Sequence, residues 1–147
     1  MKRLFTPILI AASCLAGVTQ AGAADYYYRK NTIAIDLSSS GGVPTTVQSA
    51  NVPAGRWVVQ AKTSLVNFGA ADFARCVILV DGTNVNGAGT MIGQAGGMPA
   101  VATVSNLAVV KTTVTKNFSV ACFHDADGSG LYVDPDGAMV VTRAPGT

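Results

Sequence analysis

The sequence predicts an all-β protein, an antiparallel β-sandwich behind a removable N-terminal leader. Three observations carry this expectation. Apolar residues recur with a period of two along several runs, the spacing of a half-buried strand. Glycine, proline and aspartate turns separate those runs. No stretch has the spacing of an amphipathic helix, while valine and threonine, which suit a pleated backbone, are frequent.

The leader is residues 1–23. Lys2 and Arg3 open it, "LFTPILIAASCLAGV" follows as an apolar run too short and interrupted for a membrane span, and Ala21-Gly22-Ala23 supplies the small residues a signal peptidase accepts. Cleavage before Ala24 predicts an exported protein, secreted or periplasmic. The alternative places cleavage at Cys14, with "AASC" as a lipoprotein box that would anchor the same domain to an envelope membrane. Residues 24–147 then form a single β-sandwich domain, long enough to bury roughly two-thirds of its unfolded surface.

Charge and cysteine use agree with export. Of ten basic residues, Lys2 and Arg3 leave with the leader, so eight basic side chains face eight acidic ones, every acid an aspartate. No run of lysine and arginine remains to neutralise phosphates, which argues against nucleic-acid binding and against a polybasic membrane patch. Cys76 in "FARCVILV" and Cys122 in "FSVACFH" are the two cysteines outside the leader. They are expected to pair, which loop-closure entropy values at roughly 4 kcal/mol; two buried free thiols are the alternative. No C-x-x-C spacing suggests redox catalysis.

The elements follow in order. "YYYRK" (26–30) reads as the start of an edge strand with alternate tyrosines tucked against the sheet, or as an exposed aromatic and cationic arm. "NTIAIDL" alternates Ile33 and Ile35 and ends at "SSSGGVP". "VPAG" makes a turn into "RWVVQAKTSLV", where Trp57, Val59, Ala61, Thr63 and Leu65 share the core side. "FARCVILV" is apolar on both faces, hence central, and Asp81-Gly82 closes a tight hairpin. "NGAGTMIGQAGGMP" is expected to be a glycine-rich surface loop; without a lysine it is no phosphate cradle. "AVATVSNLAVVKTTVT" should break near Ser105-Asn106, and "NFSVACFH" and "GAMVVTR" complete the set.

The order "GRWVVQAKTSLV", "CVILVDGT", "NLAVVKTTVTKNFSVACF", "LYVDPDGAMVVTR" resembles the jelly-roll head domains of the complement and tumour-necrosis-factor-like superfamily. There an inward aromatic follows a glycine, as Trp57 follows Gly55, and the next strand ends in an asparagine-glycine or aspartate-glycine turn, as at Asp81-Gly82. The final strand here, "AMVVTR", lacks the family's aromatics. The resemblance implies a jelly roll, homotrimers that bind partners through surface loops, and no enzymatic activity.

Chemistry concentrates in "HDADGSGLYVDPDG" (124–137), which holds the single histidine. Read as a twelve-residue cation loop, it places Asp125, Asp127 and Ser129 at the first, third and fifth ligand positions and Asp136 at the twelfth. Flanking helices are missing and aspartate is shorter than the usual final glutamate, so weak calcium binding is the most expected; the same residues are also what turns demand. His124 could instead serve a secreted hydrolase, yet no serine lies in a G-x-S-x-G elbow, zinc would lack ligands, and a solvent-facing histidine at a strand end accounts for it equally. The overall expectation is a non-catalytic module with no cofactor beyond calcium. Its partner would be a protein or carbohydrate ligand, or further copies of itself.

Overall fold

The structure, a computed structural model, describes residues 26–93, 98–128 and 130–145. The leader with Cys14, and Ser129 of the acidic stretch, lie outside those residues. In chain order the strands are β1 (Tyr26–Lys30), β2 (Ile35–Asp36), β3 (Thr45–Val52), β4 (Gly55–Asn67), β5 (Asp72–Val80), β6 (Thr83–Ile92), β7 (Ala100–Thr112), β8 (Lys116–His124), β9 (Tyr132–Val133) and β10 (Ala138–Arg143). Among the described residues no helix is long and apolar enough to cross a membrane.

The strands make two sheets. One has four strands in the order β3-β8-β5-β6. The six-stranded sheet is built on β4, with β7 along one side, β10 and then β9 along the other, and β1 and β2 outermost. Every pairing is antiparallel and most neighbours are remote in sequence, the topology of a jelly roll.

β4 faces the core with the row the alternation predicts: Trp57, Val59, Ala61, Thr63 and Leu65 are all buried. Phe118, Val120, Ile78 and Ala74 meet them from the other sheet. Trp57 donates its indole N–H to Pro53 O (3.0 Å), Tyr27 packs edge-on against it at 5.6 Å, and the Arg143 guanidinium lies over the ring at 4.6 Å. Gly55 has to be glycine in this arrangement. A Cβ there would sit 2.9 Å from the indole nitrogen and 3.0 Å from the Arg143 side chain.

Cys76 and Cys122 stand directly opposite each other on β5 and β8 and are bonded, as expected. β5 is central, between β8 and β6. The Asp81-Gly82 hairpin has positive φ at both residues, 47° and 79°, which a two-residue turn between twisted strands requires.

Three local expectations are corrected. The first half of the glycine-rich segment, residues 86–92, is strand, since β6 runs to Ile92. Its glycines are there for packing: a Cβ on Gly89 would meet the Phe73 ring at 2.8 Å, and one on Gly87 would meet Val77 at 2.7 Å, because those side chains from β5 lie across the strand. β7 does not break at Ser105-Asn106. Asn106 points inward and donates its side-chain N–H to Cys76 O (2.9 Å), so a polar residue is accommodated without interrupting the ladder. Finally, "NTIAIDL" contributes only Ile35–Asp36, and Ile33 is exposed. β1 and β2 keep one register against β10 and β9, with a break at 31–34 where Pro135 can donate no N–H and Asp136 adopts a φ of 79°.

Replacing both Cys76 and Cys122 by alanine should lower unfolding free energy by about 2–4 kcal/mol, read from urea unfolding with the wild type as reference.

Candidate functional site

Two regions carry candidate functional side chains: the acidic stretch at one end of the sandwich and the outer face of the six-stranded sheet. In the first, His124 ends β8 and is buried, which corrects the expectation of a solvent-facing ring. Its Nε2 lies 2.5 Å from the backbone oxygen of Ser38. A carbonyl only accepts, so Nε2 carries a proton and donates it there. Nδ1 lies 2.9 Å from Asp72 Oδ2, close but not aligned as a linear hydrogen bond.

Asp72 is the hub of this end. Its Oδ1 accepts backbone N–H groups from Phe73 (2.7 Å), Ala126 (3.1 Å) and Asp125 (3.3 Å), and its side chain is 3% exposed. One buried carboxylate thereby joins the start of β5, the end of β8 and, through His124, the Ser38 loop. The histidine nitrogen that a nucleophile would need is turned to a backbone carbonyl instead of a hydroxyl.

The carboxylates of the proposed cation loop are not brought together. Asp125 forms a two-armed ion pair with Arg75, whose guanidinium also lies 4.4 Å above the Phe73 ring. Asp127 accepts the N–H of Gly41 (2.8 Å). Asp136 pairs with Lys30 at 2.5 Å. Among the described residues no group of three or more histidine, cysteine or acidic side chains could hold a metal ion. Hydrogen bonds from Arg75, Lys30 and Lys116 hold the carboxyls of Asp125, Asp136 and Asp81 below the ordinary aspartate range.

The second region is formed by the outward row of β4 and its neighbours. Tyr26, Thr142, Val58 and Val109 make one line across the sheet; Tyr28, Val140, Gln60 and Leu107 make the next. Val109 is 60% exposed, Tyr26 55% and Leu107 52%. Tyr26 and Tyr28 stack with centroids 6.4 Å apart, and a shallow groove of about 420 Å³ opens between Lys62, Leu107 and Val140. Phe68 stacks on Tyr132 at the far end of the sheet, at 6.0 Å. "YYYRK" is thus an edge strand, with Tyr27 tucked against Trp57 and its two neighbours outside.

Sequence reasoning did not single out this face. The signal was in "NLAVVK", where the row Leu107 and Val109 is more apolar than the row Asn106 and Ala108; either could have been taken as inward.

With this geometry in hand, comparison with solved structures is informative. The structure of Eiger TNF from S. frugiperda superposes with a TM-score of 0.56 at 10% identity, covering 83% of this chain and 92% of that one. The likeness is one of fold. The structure of infectious bursal disease virus Gt strain gives a TM-score of 0.49 at 18% identity, covering 82% of this chain but 32% of the viral one. No protein-family model and no curated protein sequence matches the chain. The jelly roll is therefore shared with Eiger TNF.

Two outcomes follow from the acidic end. Removing the hub with Asp72→Ala takes an acceptor from the Phe73 and Ala126 N–H groups and the carboxylate neighbour from buried His124, and should cost about 3–5 kcal/mol in urea unfolding. The ion-paired aspartates have folded-state affinities for protons below the unfolded ones. Their contribution is complete above the unfolded value of about 4 and is lost as pH falls through the folded values. The thermal midpoint should therefore drop below about pH 4, and Asp125→Asn should flatten that drop in scanning calorimetry.

Proposed function

We propose that the chain is an exported, non-catalytic binding or structural module that works by self-association through the outer face of its six-stranded sheet. The observation that carries this reading is the apolar row itself. Tyr26, Tyr28, Leu107 and Val109 lie exposed on one continuous face, where a monomeric soluble domain usually places charge.

Other features support parts of it. The internal disulfide suits an oxidising compartment. His124, buried with its Nε2 on the Ser38 carbonyl, fits a structural pin better than a general base, which favours the non-catalytic reading over a hydrolase. The loops at the His124 end and the four-stranded sheet stay free to meet a protein or carbohydrate ligand. A homotrimer is what the resemblance to tumour-necrosis-factor-like heads implies, and a lipid anchor at Cys14 would leave the same face available.

Sedimentation velocity of the purified protein should show an oligomer at micromolar concentration. Leu107→Asp combined with Val109→Asp should convert it to a monomer with its melting temperature nearly unchanged, because both side chains are outside the core. An unchanged mass in that variant, or a wild-type monomer, would sink the reading.

A further inference from the structure

The outer face of the six-stranded sheet is not symmetric in charge. At the start of β4, Arg56 stands directly opposite Lys111 of β7. Both are exposed, and neither forms an ion pair among the described residues. Two cations facing each other across a pair of strands destabilise the pair, so within one chain this arrangement is unfavourable.

The opposite corner is acidic. Asp36 of β2 is exposed and stands opposite Tyr132, itself opposite Val66 near the end of β4. Asp134 follows β9 and donates its backbone N–H to Ser64 O (2.8 Å). Neither aspartate forms an ion pair among the described residues. Between the corners lie the apolar rows. Lys30 and Lys62 cross the middle, where Asp136 pairs with the first and draws charge interaction from the second.

β7 and β2 are the outer strands on the two sides of the sheet, and Lys111 and Asp36 lie toward opposite ends of it. The cationic and acidic corners are thus diagonal to each other. A two-fold axis lying in the plane of contact, perpendicular to the line joining the corners, would set each cationic corner of one copy on the acidic corner of the other, with Tyr28 and Val140 near the axis. A three-fold axis along the strands would instead gather the Arg56 and Lys111 pairs of all copies at one end.

We propose that the partner on this face is a second copy of the chain, packed with its strands running roughly opposite as a two-fold dimer, with Arg56 and Lys111 of each copy against Asp36 and Asp134 of the other. This rests on the self-association proposed above and chooses among its forms. Such an interface is isologous, so it closes at two copies, and the charge pattern disfavours the parallel trimer by like-charge contact.

The test uses two double variants, R56D/K111D at exposed residues and D36K/D134K at exposed Asp36 and half-buried Asp134, each checked against wild type by circular dichroism and followed by sedimentation equilibrium. Wild type should be a dimer whose association weakens roughly tenfold from low to high salt. Each variant alone should be monomeric where wild type is dimeric. An equimolar mixture should recover the dimer as a heterodimer, because each copy then carries a single charge sign at both corners. A wild-type trimer, a dimer indifferent to both reversals, or a mixture that stays monomeric overturns the two-fold arrangement while leaving self-association standing. A wild-type monomer overturns both.

Discussion

The constraint on which the rest of this jelly roll depends is the alternation of one strand. β4 has thirteen residues and is the ladder partner of β7 over its whole length and of β10 and β9 in succession. Because successive side chains point to opposite faces, its odd-numbered residues must turn toward the core once Trp57 does, and its even-numbered residues toward the other face of the sheet. Core and candidate interface are therefore two sides of one choice of register. A slip by a single residue would bury Arg56, Gln60 and Lys62 and expose the indole.

The other end of the sandwich is organised by a different kind of constraint. Three chain segments converge there, and backbone groups need acceptors once water is excluded. Asp72 provides them, and His124 carries the same connection to the Ser38 loop. The arrangement uses two groups that usually signal chemistry, yet each of their polar atoms is directed to backbone or to the other. The acidic residues after His124 are similarly committed: Asp125 to Arg75, Asp127 to Gly41. A stretch that reads as a cation loop in one dimension is distributed over separate neighbours in three.

Where the alternation was strong, as in β4, or where both faces were apolar, as in β5, the sequence disclosed strand, orientation and position in the sheet. The hairpin at Asp81-Gly82 and the Cys76–Cys122 bond were legible for the same reason: local chemistry left few alternatives. What stayed hidden depended on neighbours. Gly87 and Gly89 look like loop residues until Phe73 and Val77 are seen lying across them. Asn106 looks like a break until its acceptor, Cys76 O, arrives from the other sheet. His124 could be located at a strand end, but its burial depends on Asp72, fifty-odd residues earlier in the chain. The pairing of Arg56 with Lys111 across β4 and β7 was equally invisible, since charge counts register totals and not placement.

The pairing of β1 with β10 sets Tyr26 opposite Thr142, so the described chain enters and leaves the sandwich at the same pole. The loops around Ser38, Asp72 and His124 occupy the other pole. Anything tethered to either end of the described residues would thus hold the domain like a flower on its stalk, with those loops held outward and the broad sheet standing upright along the side. Cargo, tags or scaffolds joined at both ends would share one exit and leave the distal tip unobstructed.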